Sequence, residues 1–127
     1  MDLVAVLAAA KDEVLTASAA ALGRAHLAHY ERAGPEGSSQ RLADLYQLVV
    51  TCLSERRLEP MSEYAETVAR ERFSAGFDIA EVQTAFNVLE ESIWKVVVPG
   101  TPPAELAEPT GRIGTVLEAG KDSLARA

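Results

Sequence analysis

The sequence predicts an all-α protein: a single domain, residues 1–127, built as a bundle of about five helices or as a globin-like arrangement without haem. Three observations lead there. Apolar residues recur at steps of three and four along most of the chain, and no stretch sustains the alternation of a half-buried strand. Most proline, and half of the glycine, falls between those periodic segments. With 127 residues, 48% hydrophobic and 24% charged, the chain is long enough for one buried core and has an ordinary globular composition.

The first segment runs from Asp2 to about Ala33 and is ended by "AGPEGSS", which supplies Gly34, Pro35 and Gly37. Its alanines and leucines are strong helix formers. Leu3, Leu7, Val14, Ala21 and Ala28 recur at heptad-like spacing, a thin stripe lined by small residues. A continuous helix of this length would reach ~45 Å, beyond neighbours that span about 25 Å at 1.5 Å per residue. The surplus would leave Leu3, Leu7, Val14 and Ala21 in water, so a homodimer through that face is expected. A break near Gly23 is the alternative.

A second helix is expected from about Ser39 to Arg56, capped by Ser38 or Ser39. Leu42, Leu45, Val49 and Cys52 form its stripe, widened by Tyr46 and Leu53. The third begins around Pro60, a residue suited to a first helical position, and runs to Ala75. Ala65, Val68, Ala69 and Phe73 take its inner side, and Gly76 ends it in a left-handed cap. Asp78 and Glu81 then make a D-x-x-E capping box, with Phe77 and Val82 as its hydrophobic staple. From there Ile79, Val82, Phe86, Leu89, Ile93 and Val97 step cleanly along a fourth helix flanked by Trp94, and "KVVVPG" is its last turn. The final segment opens at Thr101 and Pro102. It starts a fresh helix or kinks at Pro109, and carries Ile113, Val116, Leu117 and Leu124.

Composition narrows function. Lys and Arg number 12 against 19 Asp and Glu, a net charge of −7 that repels phosphate backbones and anionic lipid. Neither nucleic acid nor membrane is expected as a partner. The apolar opening "MDLVAVLAAA" lacks the basic leading region of a signal peptide, and the single cysteine fits a reducing cytoplasm. Cys52, at a core position, reads as a small buried hydrophobe.

No residues assemble into a catalytic set, so an enzyme is not expected. His26 and His29, in "RAHLAHYE", lie three apart on one segment, with Glu31 directed elsewhere and no further ligand in reach. Neither follows a glutamate by three, as a di-metal bundle requires, and no histidine occurs late in the chain to hold haem. Neither a metal nor another cofactor is expected. The aromatic residues are more suggestive. Phe73, Phe77, Phe86 and Trp94 gather around the Gly76 corner, with Tyr64 upstream and Arg70 and Arg72 beside it. Most of them are expected in the core, the arginines pairing with Glu66 or Glu81. The alternative is a ligand or partner surface made of Tyr64, Arg70, Arg72, Phe73, Phe77 and Trp94.

The corner "RERFSAGFDIAEVQTAFNVLEESIWKVV" resembles the RsbT co-antagonist (RsbRD) N-terminal domain family through Arg72, Gly76, Asp78, Glu81 and Val82. The helix running on through Phe86 and Leu89 and the preceding "LADLYQLVVTCLSERRLEPMSEYAETVA" extend the likeness over roughly residues 40–98. The resemblance implies an all-helical regulatory domain with relatives in sensory modules of stress-response signalling complexes. Members often carry a C-terminal phosphoacceptor STAS domain, for which 127 residues leave no room. A stand-alone sensor-like domain, or a fragment, is therefore implied. Two functions follow as expectations: a regulatory domain acting through protein contacts as a homodimer in a signalling pathway, or a small-molecule sensor with its pocket at the aromatic corner.

Overall fold

A computed structural model describes residues 2–74 and 79–126, with the side chains at 28–30, 32, 33, 35, 72, 73 and 79 outside that description. It is all-helical, with no strand among the described residues. The helices are α1 (Leu3–Ala9), α2 (Lys11–Arg24), α3 (Ala28–Glu55), α4 (Glu59–Ser74), α5 (Ile79–Val97) and α6 (Ala107–Arg126). A 3₁₀ turn at Pro103–Glu105 precedes the last.

The long first helix expected from the sequence is not formed. The chain breaks at Ala10, whose backbone (φ −92°, ψ 5°) leaves the helical region, and again after Arg24, where His26 takes φ 52°. The first of these short helices is held at both ends. Asp2 caps α1 by accepting from the Ala5 N–H at 3.2 Å, and the Tyr46 hydroxyl donates to the Leu7 carbonyl near the helix's other end. That carbonyl lies in the last turn, where intrahelical donors run out. Bending the segment turns the proposed dimer face inward: Leu3, Leu7 and Val14 are 2%, 0% and 0% exposed, and Ala21 is half-buried. The chain covers this stripe itself, so the face no longer supports a homodimer. Ala28's side chain lies outside the described residues.

The "AGP" punctuation acts as expected, but inside α3. Gly34 stands at φ 81°, ψ 168° between two helical stretches. Proline disfavours a helical residue before it, and this φ suits only glycine, so Gly34 takes the irregular place and Pro35 restarts the helix. At its far end α3 stops on Arg56 in the left-handed region (φ 55°, ψ 42°). The Arg112 guanidinium donates to the Leu53 carbonyl there at 3.0 Å, tying α6 to the end of α3. Thr101 closes α5 instead of opening the next segment: it is buried, and its hydroxyl donates to the Val97 carbonyl at 2.7 Å. Pro109 lies in the first turn of α6 and starts that helix without kinking it. The Gly76 cap and the Asp78 capping box, with Phe77 in the staple, lie outside the described residues.

One core joins all six helices. α4 packs most extensively on α6, and α2 on α5, while α3 touches every other helix. The apolar stripes supply the contents: Leu42, Leu45, Val49 and Cys52 from α3, Ala65 and Ala69 from α4, Phe86, Leu89 and Ile93 from α5, and Ile113, Leu117 and Leu124 from α6 are all buried. Met61, fully buried at the start of α4, completes it. The tightest approach is at Gly120. A Cβ there would stand 2.7 Å from Phe86 Cε1 and 2.9 Å from Met61 Sδ, so α6 meets α4 and α5 closely only because this side chain is missing. Between α5 and α6 the half-buried Lys121 Nζ also pairs with Glu90 Oε1 at 3.0 Å. No helix among the described residues is long and apolar enough to cross a membrane.

Two predictions follow. Gly120→Ala gains helix propensity but must displace a buried ring, and overpacking outweighs propensity, so a net loss of about 1–2 kcal/mol is expected. Gly114→Ala, with nothing within 4 Å of the new Cβ, is expected to gain about 0.5–1 kcal/mol. Urea midpoints check both, and equal shifts in one direction would contradict the packing described. The second concerns Tyr46, 1% exposed, whose phenol burial pushes from the usual 10 up to about 12. The folded chain holds that proton more tightly than the unfolded one. Its contribution is therefore complete below pH 10 and is lost as pH rises towards 12. Tyr46→Phe is expected to cost about 1 kcal/mol at neutral pH and to flatten the alkaline decline, read by denaturant titrations across that range.

Candidate functional site

The aromatic corner is packed solid among the described residues. Tyr64 from α4 is half-buried against the core, and Phe86 from α5 is 1% exposed. Between them, Arg41, Leu42 and Val82, only about 20 Å³ remains, room for a single water and no more. Arg41 is the unforeseen member: its side chain enters from α3 and buries Nη1 there. Glu81 is buried in the first turn of α5, where the helix dipole favours a carboxylate. Trp94 lies further along α5, half-buried against the core. Arg70 is exposed on α4, its carbonyl accepting from the Ser74 hydroxyl at 2.9 Å. Phe77, and the side chains of Arg72 and Phe73, lie outside the described residues. The structure thus brings Tyr64 together with Phe86, and leaves no ligand pocket between them.

The histidines are used differently from the sequence expectation. Glu31 does not point away: the turn at His26 brings its Oε1 to 3.0 Å from His26 Nδ1, in an exposed pair. The His29 side chain lies outside the described residues, which contain no group of three or more metal-ligating side chains. Cys52 is buried. Burial, chiefly, with Glu55 and Glu59 adding, raises its thiol above the usual range, against a backbone hydrogen bond at Met61 and the Arg57 charge. A thiol held neutral is a poor nucleophile.

Two other surfaces have room for a ligand or a partner. The first is a cleft of about 380 Å³ between the end of α2 and the start of α3, walled by Ala19, Leu22 and Leu27 and opening beside Gly23, Glu31 and Gly34. The second is an open groove of about 550 Å³ where the α3–α4 turn meets α6. Leu53 and Val116 form its floor, Arg56, Arg57 and Arg112 its edges, and Leu58 stands 39% exposed beside it. Part of the guanidinium charge is spent locally, since Arg57 lies 3.7 Å from Glu59 and Arg112 lies 3.6 Å from Glu108. The groove continues along α6 past Gly111, Gly114 and Thr115 towards Asp122.

Gly111 and Gly114 separate this face from the rest of the fold. A Cβ at either would meet nothing within 4 Å, unlike one at Gly120. Each therefore forfeits about 0.5–1 kcal/mol of helix stability with no packing inside the chain to require it. Their spacing in "EPTGRIGTVLEAG" was visible in the sequence, as was a lone leucine within "SERRLEP". Which glycine faces the core and which faces water was not. Comparison of the chain with protein-family models, with curated proteins and with solved structures finds no match.

Proposed function

We propose that this chain is a non-enzymatic regulatory domain that works by docking a protein partner on the outer face of α6. The groove beside Leu58 carries the proposal. Leu58 stands 39% exposed beside a furrow where Gly111 and Gly114 leave open space, and small residues let a partner helix approach closely. Arg56 at the edge adds a charged rim of the kind that orients a partner more than it tightens the complex. The resemblance of residues 40–98 to the RsbRD N-terminal domain family supports a signalling role in a stress-response pathway. A reducing cytoplasm is the proposed setting, in keeping with one buried free thiol. A homodimer through Leu3, Leu7, Val14 and Ala21 is not part of this proposal, because the core has taken the first three.

The test is photo-crosslinking in cells of the source organism. Benzoylphenylalanine at Leu58 is expected to give one discrete heavier adduct, and none at Ala17 on the outward side of α2. Gly111→Trp, which fills the furrow where the chain leaves open space, is expected to cut the adduct about tenfold. No adduct at Leu58, equal adducts at both positions, or an adduct indifferent to the tryptophan would each overturn the docking face.

A further inference from the structure

The furrow along α6 carries opposite charge at its two ends, and every side chain that lines it belongs to the described residues. Leu58, Gly111 and Thr115 line both halves. From Gly111 to Asp122 it follows about 16 Å of helix at 1.5 Å per residue. The half nearer the α3–α4 turn is lined by three arginines and one glutamate, whereas the half nearer the end of α6 holds Glu118 and Asp122 with no lysine or arginine. Pairs within the chain take up part of this charge. Arg57 lies 3.9 Å from Glu55 and 3.7 Å from Glu59, Arg112 lies 3.6 Å from Glu108, and Glu118 lies 3.5 Å from Lys121. Arg56 at one end and Asp122 at the other are exposed and have no ion pair among the described residues.

We propose that the partner docked on α6 is a second copy of this chain, related by a two-fold axis across the middle of the furrow, so that each Arg56 meets the other copy's Asp122. This rests on the docking face proposed above and names its occupant. Half a turn about that axis exchanges the two ends, which sets the arginine half against the carboxylate half twice over. A face with like charge at both ends would repel its copy. This one is complementary to itself, the condition for an isologous interface. Between the charged ends the two Leu58 side chains cover each other's furrow, and Gly111 and Gly114 let the two α6 backbones approach. The net charge of −7 opposes association. It is screened beyond about 8 Å at physiological salt, so the charges in contact decide.

Sedimentation of the purified full chain at micromolar concentration tests it, using charge reversals at the two ends. Wild type is expected to sediment as a dimer. Arg56→Glu alone and Asp122→Arg alone each turn two attractions into two repulsions, and each is expected to weaken the dimer about tenfold or more. Both positions are exposed, so both variants are expected to fold. Mixing the two single variants restores both attractions across a mixed dimer and is expected to recover wild-type affinity, as is the double variant alone. A monomeric wild type, a single reversal that dimerises like wild type, or a mixture no tighter than its parts would overturn the assignment. The crosslink at Leu58 separates this outcome from that of the docking face. An adduct of twice the chain's mass supports both. An adduct of another mass, with a monomeric purified chain, overturns self-pairing and leaves the docking face, whereas no adduct removes both.

Discussion

The close approach at Gly120 is the constraint on which the bundle depends. α6 touches α3, α4 and α5, and the point where it meets both Phe86 and Met61 leaves no space for even one methyl group. Interiors pack at near-crystalline density, so such a contact fixes the separation and register of three helices at once. Much of the rest can be traced from it. With α6 seated on α4 and α5, Ile113, Leu117 and Leu124 fall into the core. Arg112, next to the buried Ile113, then reaches the Leu53 carbonyl and closes the exposed end of α3. The outer side of the same helix is left bearing Gly111 and Gly114, and the groove beside Leu58 is its consequence.

At the opposite end of the sequence a second long-range bond decides the path of the chain. The Tyr46 hydroxyl reaches back across 39 residues to the Leu7 carbonyl, and both groups are buried. A carbonyl at the close of a helix needs a donor, and a buried phenol needs an acceptor, so the pair satisfies two demands with one bond. α1 can therefore end at Ala9, and α2 can set off in its own direction with Val14 and Leu22 facing the core.

The candidate surfaces differ in what their residues give up. At the aromatic corner Tyr64 and Phe86 are absorbed in packing, and the space left is water-sized. Beside α6 and between α2 and α3, by contrast, glycines stand where the fold makes no use of a missing side chain, at Gly111 and Gly114 in one place and Gly23 in the other. Helix interiors disfavour glycine, so positions that carry it without an internal contact point outward, to what approaches the chain from solution.

Helix type and the inward side of each later helix were legible in the sequence because both follow from local periodicity. The stripes of α3, α5 and α6 proved to be the core residues almost name for name, Cys52 among them. The glycine–proline break was legible too, since Pro35 restricts its predecessor whatever the tertiary fold. What the sequence could not decide was anything that turns on a partner distant along the chain. The end of α1 depends on a hydroxyl 39 residues away, and the His26–Glu31 pair on a left-handed backbone that no propensity announces. Whether room is left between Tyr64 and Phe86 depends on Arg41 arriving from another helix. Among the α6 glycines, only the packing shows that Gly120 is required by its neighbours while Gly111 and Gly114 are not, because a glycine's meaning lies in what stands where its side chain would be.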